Sequence, residues 1–137
     1  MSTQLHAYLN FNGRCREAMT FYQQCLGGDL VLQKIAESPM AAQMPSEAGA
    51  NILHSSLTRN GVLLMMGSDM MGANLKQGNS VVLCLDCSSD EEINTFFKKL
   101  SAGGEIKMPL HQSFWGPTYG ELTDKFGMLW MFSYRKN

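Results

Sequence analysis

The chain has 137 residues, enough for one domain with a real core, and its 11 basic and 12 acidic residues leave it close to neutral. No lysine–arginine stripe is present, so nucleic acid and anionic membranes have no electrostatic footprint, and no apolar run is long enough to span a bilayer. The opening segment has no charged-then-apolar leader, and four cysteines (Cys15, Cys25, Cys84, Cys87) do not demand a disulfide framework; the expectation is a cytoplasmic protein.

In chain order, residues 4–11 suit a first strand, with His6, Tyr8 and Asn10 on one face and Ala7, Leu9 and Phe11 on the other. Residues 14–26 predict a helix that buries Ala18, Phe21, Tyr22 and Cys25 and stops at Gly27-Gly28. A second strand is expected over 30–36, followed by a loop or flap over 37–49 that holds Pro39, Pro45 and Gly49. Strands over 50–58 and 61–67 are joined by Asn60-Gly61, a pair that suits the positive backbone angles of a tight hairpin.

After a linker over 68–79 the plan returns. A strand over 80–86 leads to Ser89 and Glu92, which have capping-box spacing, and then to a helix whose face is Ile93, Phe96, Phe97 and Leu100. Gly103-Gly104 ends that helix, and strands over 105–111, 117–124 and 128–134 follow. Residues 17–28 therefore return as 92–104, and 57–66 return as 122–131. Two units this short cannot each hold a full core, so one domain over 1–137 is expected, built from modules 4–68 and 79–135. The class is α+β: two βαβββ modules forming a curved, antiparallel-rich mixed sheet.

These residues resemble the vicinal oxygen chelate superfamily of glyoxalase I, extradiol dioxygenases and bleomycin resistance proteins, and within it the PhnB-like branch. The matching pieces are Tyr8-Leu9-Asn10-Phe11-Asn12-Gly13, Glu17-Ala18 with Phe21-Tyr22, Gly27-Gly28, His54-Ser55-Ser56-Leu57, Phe114-Trp115-Gly116, and Gly120 through Thr123-Asp124-Lys125-Phe126-Gly127 to Trp130. The resemblance implies a glyoxalase/bleomycin resistance fold and a homodimer. It also implies a pseudo-symmetric divalent-metal site with two ligands per module, one early in the first strand and one acidic residue in the last.

Carried over by position, the first-strand ligand falls on His6 and its counterpart near Ser80. The acidic positions, four residues after Gly61 and Gly127, hold Met65 and Met131. A thioether is a poor donor to a hard cation, so no metal is favoured, although a divalent ion remains open through His6. Strand parity places His54, Ser56 and Thr58 on one face and Tyr119, Glu121 and Thr123 on the matching one.

The expected ligand-binding set is thus His6, Tyr8, His54, Met65, Trp115, Tyr119, Glu121 and Met131, with His54 and Glu121 as candidate acid–base groups. Each has a plainer reading: filler for the methionines, a hydrogen-bonded core residue for His54, a solvated side chain for Glu121. Phe114-Trp115 before Gly116-Pro117 would either cover a pocket rim or anchor the connection into the next strand. Cys84-Leu85-Asp86-Cys87 has no second pair with which to hold zinc.

Relatives in this branch often carry a demethylubiquinone methyltransferase label. No glycine-rich strand-to-helix turn supports it here, since Gly27-Gly28 follows a helix. Two functions follow from different classes. One is a metal-free small-molecule binding protein with an apolar, aromatic cleft. The other is a metal-dependent or acid–base lyase, isomerase or dioxygenase-like enzyme that uses His6, His54 and Glu121.

Overall fold

The computed structural model describes residues 2–45 and 48–136. Ser46 and Glu47 of the expected 37–49 loop, like the end residues Met1 and Asn137, lie outside the described residues. Two compact units are found, residues 1–76 and 77–137.

The first unit runs β1 (Ala7–Asn10), α1 (Cys15–Leu26), β2 (Asp29–Lys34), β3 (Ile52–Arg59) and β4 (Val62–Ser68). Its sheet has the order β1-β4-β3-β2, parallel between β1 and β4 and antiparallel elsewhere. Much of the expected loop after β2 is wound into short 3-10 turns, Ile35–Glu37 and Pro39–Gln43. The helix buries the predicted stripe together with Cys15 and Met19, and the strand residues Ser55, Leu57 and Met65 are buried with it. Gly67 admits that helix closely, since a Cβ there would lie 3.2 Å from Met19 Sδ and 3.3 Å from Cys15 Sγ.

Arg14 gives α1 no side-chain cap. Instead the buried Asp69, just past β4, accepts the Gly13 and Cys15 amides at 2.9 and 3.0 Å through one oxygen and the Ile52 amide at 2.9 Å through the other. One carboxylate thereby satisfies donors at the start of α1 and at the start of β3.

The second unit runs β5 (Leu83–Asp86), α2 (Asp90–Ser101), β6 (Glu105–Gln112), β7 (Thr118–Thr123) and β8 (Leu129–Tyr134), with sheet order β5-β8-β7-β6. Ser89 caps α2 by accepting the Glu92 amide at 3.0 Å. The reciprocal half of the box is displaced by one residue, because Glu92 takes the Ser88 amide at 2.9 Å rather than that of Ser89. Ile93, Phe96, Phe97 and Leu100 are buried as expected. Phe97 meets Phe132 edge-on at 5.1 Å, and Leu122 and Trp130 complete the core of this unit.

The same contact, one that requires glycine, recurs inside each module. A Cβ on Gly28 would lie 2.5 Å from the Thr58 carbonyl oxygen, and one on Gly104 would lie 2.2 Å from that of Thr123. The second glycine after each helix thus packs its bare Cα against the end of the third strand of its module. Among the described residues no helix is long and apolar enough to cross a membrane.

Candidate functional site

In each unit the helix covers one sheet face, and candidate chemistry collects on the other. Burial alternates as the period-2 reading requires: Ser55 and Leu57 are buried while His54, Ser56 and Thr58 are partly exposed. Likewise Gly120 and Leu122 are buried while Tyr119, Glu121 and Thr123 are partly exposed.

The register corrects one predicted residue. In the second unit Glu121 pairs with Met131 and Leu122 with Trp130, without interruption down to Thr123 and Leu129. In the first, Ser56 pairs with Met66 and Leu57 with Met65, but Thr58 pairs with Leu63, so Leu64 is a bulge. That extra residue inverts the parity of β4 beyond it. Met65 is therefore a core residue, 4% exposed and level with the fully buried Leu57, and Met66 is the counterpart of Met131. Counting four residues from the turn glycine missed the bulge, and the run Leu63-Leu64-Met65-Met66 has no polar residue to mark it.

The same register corrects the expected partner of His6. Tyr8 lies beside Met66 and Cys84 beside Met131, so the residue two before Cys84, Val82, matches His6, and Ser80 falls in the bend ahead of β5. The family's ligand positions are then His6 and Met66 in one unit and Val82 and Met131 in the other. One imidazole, two thioethers and an alkyl group do not fit a hard divalent cation. Among the described residues no group of three or more His, Cys, Asp or Glu side chains is placed to hold a metal.

Tyr8 and His54 come together in the first unit. The Tyr8 hydroxyl is 3.3 Å from His54 Nδ1, and the rings are 5.8 Å apart. His6 stands one residue ahead of β1, hydrogen-bonded to Gln4 at 3.1 Å, in a depression of about 440 Å³ lined by Leu5, Gly61, Val62 and Leu63.

The second unit assembles a larger group. The Tyr119 phenol donates to Glu121 Oε2 at 2.6 Å. Burial, first, and then the Glu121 carboxylate push the Tyr119 pKa up to about 12. Trp115 packs edge-on to Tyr119 at 5.5 Å, and His111 does so at 6.4 Å from the neighbouring strand. Phe114 takes the other choice open to adjacent aromatics: it contacts Trp115 at 5.0 Å and is 98% exposed. The connection from β6 to β7 is closed by the Ser113 amide donating to the Pro117 carbonyl at 3.0 Å, and by Gln112 donating to that of Gly116. That turn presents Trp115 beside Tyr119.

Sequence reading missed His111 and Met108, because β6 is bulged twice around Pro109 and its parity is scrambled. Met108 pairs with Glu121. Cys84, passed over as half of a CxxC, pairs with Met131 on the row that holds Glu121. Its thiol is pushed upward in pKa by burial and by Asp86, away from nucleophilic use.

Residues 3–133 match the family described as 3-demethylubiquinone-9 3-methyltransferase. The YjdN protein of Escherichia coli K12 is 34% identical over 136 residues, which span 93% of this chain and 92% of that one. Protein PA1353 from Pseudomonas aeruginosa superposes with a TM-score of 0.84 at 32% identity, covering 99% of this chain and 100% of its own. The PhnB protein from Bacillus cereus gives 0.76 at 27% identity, covering 96% and 99%. A glyoxalase/bleomycin resistance protein from Albidiferax ferrireducens T118 gives 0.70 at 17% identity, covering 98% and 100%, a likeness of fold alone.

Proposed function

The chain belongs to the 3-demethylubiquinone-9 3-methyltransferase family, the PhnB-like branch, and has the glyoxalase/bleomycin resistance fold; from that premise we propose that it is a metal-free protein that binds a small organic molecule. The observation that carries the reading is the make-up of the uncovered sheet faces. They present rings and polar tips in hydrogen-bonded pairs, Tyr8 with His54 and Tyr119 with Glu121, instead of a set of metal donors. Side chains with an apolar body and a polar tip suit ligand pockets, where area supplies affinity and a few polar groups fix orientation. Gly27-Gly28 gives no support to a nucleotide-like cofactor, since Gly28 packs on Thr58. The protein is proposed to be cytoplasmic and homodimeric, with no nucleic-acid or membrane partner.

A thermal-shift screen over aromatic, thiol-conjugate and antibiotic sets tests the reading. A true ligand at 100 times its dissociation constant adds about 2.7 kcal/mol to stability, and no shift across the sets would sink it. A stoichiometric divalent ion in chelator-free protein, lost in His6→Ala or Glu121→Ala, would instead favour the metal enzyme. An acid–base reading rests on the 3.3 Å Tyr8–His54 contact. It requires turnover of the identified ligand that disappears in His54→Ala.

A further inference from the structure

Glu121 is an acid on an open sheet face without a basic partner. Its one hydrogen bond comes from a neutral phenol, and among the described residues it forms no ion pair with any lysine, arginine or histidine. Its bonding and register partners are a phenol and two methionines. Tyr119 holds its proton up to about pH 12. Trp115 and His111 pack edge-on to the Tyr119 ring at 5.5 and 6.4 Å. The sulfur-bearing Met108 and Met131 flank Glu121 in register, and Cys84 lies beside Met131 with its thiol protonated at neutral pH. The Pro109 carbonyl can only accept, so His111 donates to it through Nδ1 at 2.9 Å, which turns that nitrogen toward the backbone.

A carboxylate that is bonded to a phenol in an aromatic cluster, with methionines beside it in register, carries a negative charge that no ion pair offsets. An anion brought there meets repulsion. A neutral body gains only contact area. An organic ammonium gains a charge-assisted contact with the free Glu121 oxygen and the attraction of the ring quadrupoles. We infer that this face of the second unit takes a ligand bearing an alkylammonium group next to an aromatic or apolar body, with Glu121 as counter-charge and Trp115 and Tyr119 as ring contacts. The inference deepens the binding function proposed above and rests on it.

Calorimetric titration of the full chain with three probes of similar size tests it: benzyltrimethylammonium, benzyl alcohol and phenylacetate. The cation is expected to bind at least about 10-fold more tightly than either other probe, with the margin shrinking at high salt. Glu121→Gln should erase the margin, and Trp115→Ala should weaken the cation by roughly 3- to 10-fold. Equal binding of all three probes by the wild type overturns the ammonium assignment and leaves the binding function standing. A margin that persists in folded Glu121→Gln overturns the role of Glu121. Should that variant not fold, the margin in the wild type and its loss in Trp115→Ala decide the matter. No binding of any probe, alongside ligands found in the thermal screen, overturns this inference alone; no binding in either experiment overturns both.

Discussion

A row of four side chains crosses the open face of each sheet at the same level, and the two rows differ where function would differ. In the first unit the row is Val31, Ser56, Met66 and Tyr8; in the second it is Met108, Glu121, Met131 and Cys84. The helix-covered faces one residue away stay alike in kind, with Leu57 and Met65 against Leu122 and Trp130. Packing holds the covered face to apolar residues of similar bulk, because any polar atom there must find a partner. The open face is under no such demand. One module can therefore place serine where the other places glutamate, and polarity accumulates on one side of the molecule's internal symmetry.

The largest expected effect tests which methionine belongs to the row. Met65→Glu would put a carboxylate level with Leu57 under α1, and should cost about 3–5 kcal/mol in urea unfolding or prevent folding. Met66→Glu, on the open face, should stay within about 1 kcal/mol of wild type. Equal losses at the two sites would show that the bulge at Leu64 does not set the parity of β4.

A smaller effect tests the symmetry itself. Gly28→Ala and Gly104→Ala each push a methyl into a threonine carbonyl, at 2.5 and 2.2 Å in the unrelaxed backbone, and each should cost about 1–3 kcal/mol. Gly28 has the added strain of φ near +103° and should lose more for that reason. A neutral result at either glycine would mean that the two modules are not built on one contact.

The smallest effect is spectroscopic. Tyr119 in the folded protein ionises near pH 12, above the ordinary tyrosine value of about 10 in the unfolded chain. Between those values the unfolded chain releases a proton that the folded one keeps. The contribution is therefore fully present below about pH 10 and is lost as pH rises through the folded value. Phenolate absorbance should include a late-titrating component that is missing in Tyr119→Phe and moved part of the way down in Glu121→Gln, because burial remains the first cause. An unshifted titration in Glu121→Gln would separate the phenol from the carboxylate.

Much of this architecture is legible in the chain because local signals and packing agree. Asn60 and Gly61 both adopt positive φ, 53° and 77°, as a tight hairpin asks. Both helical stripes are buried where the spacing put them. The pairing of His54 with Tyr119 and of Ser56 with Glu121 follows from alternation in strands that mix polar and apolar residues. Legibility fails where a strand has one kind of side chain or an irregular pairing. Leu63 to Met66 look the same from either face, and Pro109 disrupts the β6 ladder around Met108 and His111. The Asp69 clamp was equally silent, since it joins positions 54 and 17 residues away through backbone amides that no side-chain pattern encodes.

The bulge at Leu64 has a consequence for how such a chain can change length. Upstream of it, β3 and β4 meet at Thr58 and Leu63; downstream, Leu57 meets Met65 and β1 joins at Ala7. Removing one of the adjacent leucines, Leu63 or Leu64, gives one and the same chain, and it would close the blister in the ladder with a leucine still opposite Thr58 and Met65 still opposite Leu57. The strand thus contains a slack link, a place where an insertion or deletion is absorbed before it reaches the far end. In a fold made by doubling one module, such a link lets the copies drift apart in count while their strands stay in step.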